Sequence, residues 1–201
     1  MSKIKYTKNA LKSQKDALRR FTRYLPTLTL KKQQLQLEIS KTLHAIEGVE
    51  SEMSRFKSSI SGWLSVFGES VPFKSIISVK AFNAKIENIA GIDLPVFAGI
   101  DFDIRDYDFM TMPLWVDFGI EAVKKMTELK FRLLLFKKRY TLLADELRVT
   151  TQRVNLFEKI KIPESRNNIR KINIVLGDMQ TAAVVTGKIA KHKIEAGHEA
   201  A

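Results

Sequence analysis

The residues that could bind a metal ion in this 201-residue chain are few and poorly spaced. His44, His192 and His198 do not have the spacing of metal ligands. The acidic stretch DFDIRDYD, residues 101–108, has enough carboxylates for a cation, but Arg105 and Asp106 stand where a calcium loop needs an acceptor and a glycine. These side chains are therefore predicted to be solvated, and no metal site is expected.

Nucleotide and thiol chemistry lack their usual residues as well. The segment VTGKIA contains Gly187 and Lys188, but no glycine stands five positions before Gly187, and Ile189 occupies the Ser/Thr position of a phosphate-binding loop. The chain has no cysteine, so it can form neither a disulfide nor a catalytic thiolate. The sequence predicts a protein that is not an enzyme and that holds no cofactor.

The N-terminal third has the apolar spacing of a coiled coil. From Leu18 to Phe67, positions three and four residues apart are apolar except for Lys32 and Thr42. The stripe comprises Leu18, Phe21, Leu25, Leu28, Lys32, Leu35, Ile39, Thr42, Ile46, Val49, Met53, Phe56, Ile60, Trp63 and Phe67. A long helix with one buried face is predicted here.

A second long helix is predicted from about Leu114 to beyond Pro163. Its stripe consists of Met126, Leu129, Leu133, Phe136, Tyr140, Leu143, Leu147, Thr150, Val154 and Phe157, followed after the proline by Ile169, Ile172, Leu176, Met179 and Ala183. Val154 and Ile169 are one residue further apart than two heptads, so the second part of the stripe is rotated relative to the first. Pro163 either kinks the helix and brings the displaced stripe back onto its partner, or is merely tolerated there.

The segment between the two helices, residues 68–113, changes its periodicity. Apolar residues alternate through Ile92, Leu94 and Val96 and again through Ile100, Phe102 and Ile104, which predicts a β-hairpin over about 89–104 with Ala98 and Gly99 at its turn. Pro95 lacks an N–H donor and places its strand at an edge. Several aromatic and apolar residues are expected to close a compact base beside the hairpin: Trp63, Phe67, Phe73, Phe82, Phe109, Met112 and Trp115.

The predicted fold is mainly α, a long antiparallel two-helix coiled coil with a small hairpin-containing insert at the turn. Its parts are an N-terminal helix over 1–67, an insert over 68–113, and a C-terminal helix over 114–201 with a kink near Pro163. No run approaches the roughly 18 apolar residues that a membrane-spanning helix needs.

The net charge of +12 is the usual signature of a nucleic-acid-binding protein. The basic residues cluster toward both chain ends, which an antiparallel helix pair brings to the same end, while the acids cluster in the insert. The aromatic residues near the basic clusters fall on the apolar stripes, which favours core packing over base stacking. A basic coiled coil that binds nucleic acid and a structural tether both remain alternatives.

Three blocks resemble the D subunit of the V-type and archaeal-type rotary ATPases, and the likeness runs nearly from end to end. The first is LPTLTLKKQQLQLEI with its basic pair, and the second is ENIAGIDLPVF, residues 87–97. The third and most specific is QRVNLFEKIKIPESRNNIRKI, residues 152–172. The residues that the resemblance marks for partner or mechanical roles are Lys31, Lys32, Ile92, Leu94, Val96, Arg153, Asn155, Glu158 and Pro163. Leu156 and Phe157 replace a smaller pair common in the family, and the apolar tail resembles that of the bacterial members.

The resemblance implies a central-stalk axle that carries torque between the nucleotide-hydrolysing head and the membrane ion-translocating ring. The implied partners are the catalytic and regulatory nucleotide-binding subunits, the small F subunit of the stalk and the socket subunit above the ring, with no nucleic acid. The implied location is cytoplasmic and peripheral to the membrane. A bend at Pro163 would make the rotating shaft press different subunits in turn.

Overall fold

The computed structural model describes residues 5–63, 65, 76–108, 110 and 112–199. The elements in chain order are helix α1 (Lys8–Ile60), strands β1 (Ile77–Ile89) and β2 (Ile92–Ile104), helix α2 (Val116–Asn155), a π turn (Leu156–Lys161) and helix α3 (Ile162–Glu199). The predicted fold class is confirmed: two long helical segments flank a small antiparallel two-stranded sheet. The chain divides into two compact units, unit 1 (residues 1–30 and 150–201) and unit 2 (residues 31–149).

Helix α1 begins at a side-chain cap and continues through a proline. The Thr7 hydroxyl oxygen accepts a hydrogen bond from the Ala10 N–H at 3.2 Å, which satisfies one of the free donors at the helix start. Pro26 lies inside the helix without ending it. The predicted stripe is the face that α1 buries: its members through Ile60 are all buried or half-buried. Thr42, one of the two polar exceptions, is buried, and its hydroxyl donates to the Glu38 carbonyl at 2.7 Å.

The helices of unit 2 run antiparallel, as their contacts show: residues later in α1 pair with residues earlier in α2. Lys31 pairs with Glu146 at 2.7 Å, and Glu38 pairs with Arg139 at 3.4 Å. Further along α1, the Phe56 ring has the Lys125 ammonium 5.2 Å from its centroid. These contacts fix the relative register of the two helices.

The hairpin spans residues 77–104, so its predicted position over about 89–104 is wrong. Residues 92–104 form one continuous strand, and its partner is β1, which the apolar pattern did not reveal. The turn is formed by Ala90 and Gly91, both with positive φ (53° and 80°), as a two-residue hairpin loop requires. A bulge at Lys80 in β1 and another at Ala98 in β2 interrupt the alternation of side chains. The bulge at Lys80 therefore weakens the alternating pattern of β1 in the sequence.

The error has a local cause, since the sequence AGID occurs twice, at 90–93 and at 98–101. At the first copy, the Asn88 carboxamide accepts a hydrogen bond from the Gly91 N–H at 3.2 Å and donates to Asp93 at 2.7 Å, which stabilises a turn. At the second copy no asparagine precedes the glycine at that distance, and Ala98 is the extra residue of a bulge. Asn88 was the signal that distinguished the two copies.

The hairpin joins the helices of unit 2 through a core made by one leucine from each element. Leu35 of α1, Leu94 of β2 and Leu143 of α2 are fully buried and pack together. Partly buried residues surround them: Ile39, Ile89, Ala90, Ile92, Leu142 and Leu147. Burying each leucine contributes about 2 kcal/mol, so this joint holds the hairpin onto the helix pair.

A second core cluster lies where the chain leaves β2 and enters α2. Ile76, Val116 and Ile120 form it, and Met112 and Trp115 pack against it, as part of the predicted base. Phe82 instead lies on β1 and stacks on Phe131 of α2, with ring centroids 4.4 Å apart. Phe67, Phe73 and Phe109 of the predicted base lie outside the described residues.

The displaced stripe of the C-terminal helical segment is rephased by a π turn. The Ile162 N–H donates to the carbonyl of Phe157, five residues earlier, so the turn holds one residue more than an α turn would. Equivalent positions of an uninterrupted heptad stripe are seven residues apart. Here buried Val154 and Ile162 are eight residues apart, as are half-buried Phe157 and buried Ser165. The extra residue predicted from the phase of the stripe therefore lies within residues 156–161, directly before Pro163.

Candidate partner-binding surfaces

The basic pair of the first sequence block lies on the packed side of α1. Lys31 forms an ion pair with Glu146 across the two helices of unit 2, and each side chain is about one-third exposed (31% and 30%). Lys32 is half-buried and occupies its position in the stripe. Lys31 thus has a packing partner within the chain, and its ammonium is also accessible from outside.

The three predicted hairpin residues differ in accessibility. Leu94 is fully buried in the joint with Leu35 and Leu143, and Ile92 packs against the same joint. Val96 is half-buried and lines a groove between β2, α1 and α2. Leu94 therefore anchors the hairpin mechanically, and Val96 is the one of the three that faces open space.

The residues of the third block surround the π turn of unit 1. Arg153 and Asn155 lie at the end of α2, just before the π turn, and Glu158 lies within it. Pro163 occupies the first turn of α3, and all four residues are exposed. Pro163 is the second residue after the π turn within a continuous helical segment, and it has no N–H to donate to a carbonyl of the preceding turn. The block thus presents charged and polar groups at the surface of the π turn, while Phe157 packs on Phe21 with ring centroids 5.1 Å apart.

Arg139 lies at the centre of an ion network that the sequence did not predict. The Arg139 guanidinium lies 3.4 Å from Glu38 of α1 and 3.6 Å from Glu87 of β1, and Glu38 also pairs with Lys41 at 2.7 Å. The Arg139 and Glu38 side chains are only 14% and 15% exposed. The network ties α1, α2 and the hairpin together, but Glu38 and Arg139 are 101 residues apart in the chain, and no local pattern links them.

The acidic residues of the insert are held by hydrogen bonds to neighbouring side chains. Asp101 accepts from Asn83 at 2.8 Å, and Asp117 accepts from the Tyr107 hydroxyl. The hydrogen bond to Asp117 raises the pKa of the Tyr107 phenol above its ordinary value of 10.0, because deprotonation would remove the donor. Among the described residues, no group of three His, Asp or Glu side chains could hold a metal ion.

Apolar side chains are exposed at two places on the surface. Near the start of α2, Met110 is 94% exposed, Leu114 91% and Phe118 69%, and on the hairpin Ile86 is 77% exposed. On α3, every residue from 177 to 195 is exposed, including Val184, Ile189 and Ile194. Such surfaces are typical of a subunit whose partners cover them. None of the described helices has an apolar stretch long enough to cross a bilayer.

The positive charge of the chain is concentrated in one unit. The residues of unit 1 include 17 Lys and Arg against six Asp and Glu, whereas those of unit 2 include 17 against 16. Unit 1 therefore carries +11 of the net charge of +12. The predicted grouping of both basic chain ends is consistent with their membership of the same unit.

Comparison with known proteins decides the family. The sequence matches the family described as the D subunit of ATP synthase over residues 10–192. The chain belongs to this ATP synthase family. It is 51% identical over 194 residues to the V-type ATP synthase D subunit of Borreliella burgdorferi, with 96% of each chain covered. The corresponding proteins of Chlamydia caviae and Chlamydia pneumoniae are 35% and 32% identical, and the match covers 96% of this chain in both cases and 95% and 93% of theirs.

Membership explains why no catalytic constellation was found in the sequence. The D subunit of the V-type ATP synthase is non-catalytic, and the match covers the helices, the hairpin and the π turn. The resemblance to the bacterial members is borne out by relatives from Borreliella and Chlamydia. The functional residues of such a subunit are those that hold its shape and meet its partners.

Proposed function

We propose that this chain is the central-stalk rotor of a V-type ATP synthase and transmits torque between the nucleotide-hydrolysing head and the membrane ion-translocating ring. The observation that carries the proposal is the family match across nearly the whole of a chain built mainly from long paired helices. ATP chemistry belongs to neighbouring subunits, and this chain contributes a stiff, asymmetric shaft on the cytoplasmic side of the membrane.

The contacts of unit 2 support a role in transmitting torque. A twisting force between two helices is resisted by side chains that join them, and here three ion pairs (Lys31–Glu146, Glu38–Arg139 and Glu50–Lys137) act together with the leucine joint. The hairpin is attached to both helices through Leu94 and through Arg139. Torque applied at the hairpin would therefore reach both helices.

The partners are those that the family resemblance implies, and the charge and exposed apolar surface of the chain are compatible with them. Unit 1, with its charge of +11 and exposed apolar helix end, would lie within the ring of catalytic and regulatory nucleotide-binding subunits. The hairpin and the start of α2, with exposed Ile86, Leu114 and Phe118, would meet the small F subunit of the stalk and the socket subunit of the ring.

Observation of rotation tests the proposal, and the cysteine-free sequence makes the test clean. A single Lys85→Cys substitution on the exposed surface of β1 gives one thiol on this chain for a gold bead. In the purified complex, fixed through its head, we expect the bead to rotate in one direction when ATP is added and to stop without it. A complex that hydrolyses ATP while the attached bead does not rotate would contradict the proposal, as would failure of the chain to co-purify with nucleotide-binding subunits.

The alternative of nucleic-acid binding rests on the concentration of positive charge in unit 1. Two of its aromatic rings, Phe21 and Phe157, pack against each other and are not free to stack on bases. Binding of the isolated chain to duplex or single-stranded DNA at physiological salt would favour this alternative. The rotor proposal predicts only weak binding that disappears as salt is raised.

A further inference from the structure

The two helical segments of unit 1 are both irregular at the same level of the helix pair. The ring contact between Phe21 and Phe157 sets that level, because Phe157 belongs to the π turn and Phe21 lies five residues before Pro26. On the opposite segment, Pro163 follows the π turn by two residues. We call this level, residues 21–29 of α1 together with residues 156–163, the irregular zone.

The α1 side of the irregular zone lacks a backbone hydrogen bond. Pro26 has no N–H, so the Thr22 carbonyl loses the donor that an uninterrupted α-helix supplies four residues later. The hydroxyls of Thr22 and Thr29 each donate to the carbonyl four residues earlier, at 2.9 Å. Hydroxyls that bond back to the preceding turn weaken a helix slightly and often bend it. In this zone α1 therefore resists bending less than a regular helix does.

The opposite side of the zone departs from α-helical hydrogen bonding as well. In the π turn, the Ile162 N–H reaches back to the Phe157 carbonyl, five residues earlier instead of four. Pro163 then offers no N–H to a carbonyl of the preceding turn. Prolines and π turns are both recognised causes of bends in helices. Because both segments are weakened at one level, neither provides a regular helix that would splint the other.

The contact across the zone is apolar. The rings of Phe21 and Phe157 lie 5.1 Å apart and are tilted by 43°. In the part of the chain that the structure describes, every ion pair that joins one element to another lies in unit 2, except for one between the π turn and α3, which are consecutive in the chain. Apolar contacts have no fixed direction, so the two segments of unit 1 can shift against each other without losing them.

We propose that the irregular zone is a flexure, the place where the helix pair of unit 1 bends and twists under load. The ion pairs and the leucine joint keep unit 2 stiff by comparison. As the zone bends, Phe21 and Phe157 slide over each other and stay in contact. The role of the flexure rests on the proposed function: a compliant section lets the driven end of the shaft advance before the hairpin end follows. The bending itself is a property of the isolated chain.

Distances between spin labels in the isolated chain test the bending, because the sequence has no native cysteine to label. Lys15→Cys with Ser40→Cys spans the zone, and Leu30→Cys with Arg55→Cys spans an equal length of α1 outside it, all at exposed positions. About seven turns separate the labels of each pair, which places them on one face and about 38 Å apart. Pulsed electron paramagnetic resonance should give a distance distribution about 1.5 times as wide for the first pair. Equal widths would overturn the proposal.

Restoring regular helix should remove the flexure. A stiffened chain combines Pro26→Ala, which supplies the missing N–H, with deletion of Lys159 and Pro163→Ala, which convert the π turn to α-helix. We expect the distribution of the first pair to narrow to the width of the second, and Pro26→Ala alone should narrow it in part. The control Gly48→Ala favours helix at an exposed position of α1 outside the zone and should change neither width. Unchanged width in both proline variants would overturn the assignment to these residues.

In the assembled complex, the bead on Lys85→Cys tests the same compliance. With the head fixed and no ATP present, the angular spread of the stationary bead should fall by about a third in the stiffened chain and stay unchanged in Gly48→Ala. A bead that rotates with ATP but shows equal spread in all three complexes contradicts the flexure alone. Failure of the bead to rotate in the parent complex contradicts the proposed function, whereas the spin-label distances still decide the flexure.

Discussion

Arg139 of α2 joins that helix to α1 and to the hairpin through ion pairs. It is largely buried, and it is the one residue of α2 seen to pair with carboxylates of both α1 and β1. Removing one member of a buried ion network leaves the remaining charges without compensation, which costs more than the network itself contributes. If Arg139 is removed, Glu38 keeps Lys41 as a partner, so only part of the compensating charge is lost.

We expect Arg139→Met to lower the free energy of unfolding by about 2 kcal/mol. The matched control is Lys137→Met on the same helix, whose pair with Glu50 is about half exposed (58% and 48%), and it should cost less than about 0.5 kcal/mol. Urea unfolding of the isolated chain measures both. Equal losses in the two variants would show that the network adds nothing beyond a surface pair.

The hydrogen bond from Tyr107 to Asp117 gives the insert a pH-dependent contact. Because the hydrogen bond raises the pKa of the phenol, its contribution to stability is fully present below the ordinary value of 10.0 and is lost as the pH rises through the raised pKa. Ultraviolet titration should find a phenol whose pKa lies above 10.0 and whose signal is missing in Tyr107→Phe. Identical titration curves, apart from the loss of one ordinary tyrosine, would contradict this assignment.

At the scale of elements, the π turn has the clearest mechanical consequence. One inserted residue rotates everything that follows by about 100° relative to an unbroken α-helix, and here it returns Ile162, Ser165 and Ile172 to the buried face. Pro163 follows the turn and adds no residue to it. The insertion accounts for the phase of the stripe, and the proline, which has no N–H to donate, lies just after the inserted residue.

Deletion of Lys159, an exposed residue of the π turn, should convert the turn to α-helix while keeping the apolar face in place. With Pro163→Ala in the same variant, so that no proline ring clashes inside the new α-helix, we expect the isolated chain to be at least as stable as the parent. Deletion of Asp145, an exposed residue within the regular part of α2, should instead rotate Leu147, Thr150 and Val154 off the buried face and cost several kcal/mol. Thermal unfolding compares them, and similar losses from both deletions would contradict the insertion account.

Pro163→Ala separates the proline from the inserted residue. Since the extra residue remains, we expect the helical content to rise only slightly and the buried face to stay where it is. If the π turn sets the shaft's geometry, the variant complex should couple ATP hydrolysis to ion transport as the parent does, whereas the Lys159 deletion should couple poorly. Loss of coupling in Pro163→Ala, with normal assembly, would assign the function to the proline after all.

Across the whole molecule, we expect folding and partner binding to use different parts of the chain. The cores of unit 2 hold the hairpin and helices together, while the end of α3 is exposed on every side from 177 to 195. A segment that buries nothing in the isolated chain contributes little to its stability. Its apolar side chains, such as Val184 and Ile189, are exposed, and under the proposed function they would contact the head.

Truncation after Leu176 should therefore leave the unfolding midpoint of the isolated chain within about 2 °C of the parent. In the assembled complex, the same truncation should weaken coupling between rotation and hydrolysis, because the apolar end no longer contacts the nucleotide-binding subunits. Calorimetry of the isolated chain and ATP-driven ion transport in vesicles measure the two effects. A large fall in the midpoint, or transport unchanged by the truncation, would contradict this division of roles.

The helices, their buried faces and the extra residue near Pro163 could all be predicted from the sequence. These features depend on spacing along one helix, and a helix converts sequence spacing directly into a face. The Lys32 and Thr42 exceptions did not alter the stripe, because its other members placed it. The three sequence blocks are also local features, and they indicated the correct family. The lack of catalytic motifs is likewise visible in the sequence alone.

The pairing of the hairpin and the contacts that hold it could not be predicted from the sequence, because they depend on packing between distant segments. Two identical AGID segments offered equivalent turns, and the choice depended on Asn88, on two bulges and on the packing of Leu94 between Leu35 and Leu143. The Arg139 network and the groove lined by Val96 join residues from three elements, so neither leaves a periodic trace in the sequence. Contacts between distant segments arise from the mutual fit of the whole chain, and spacing along one element does not encode them.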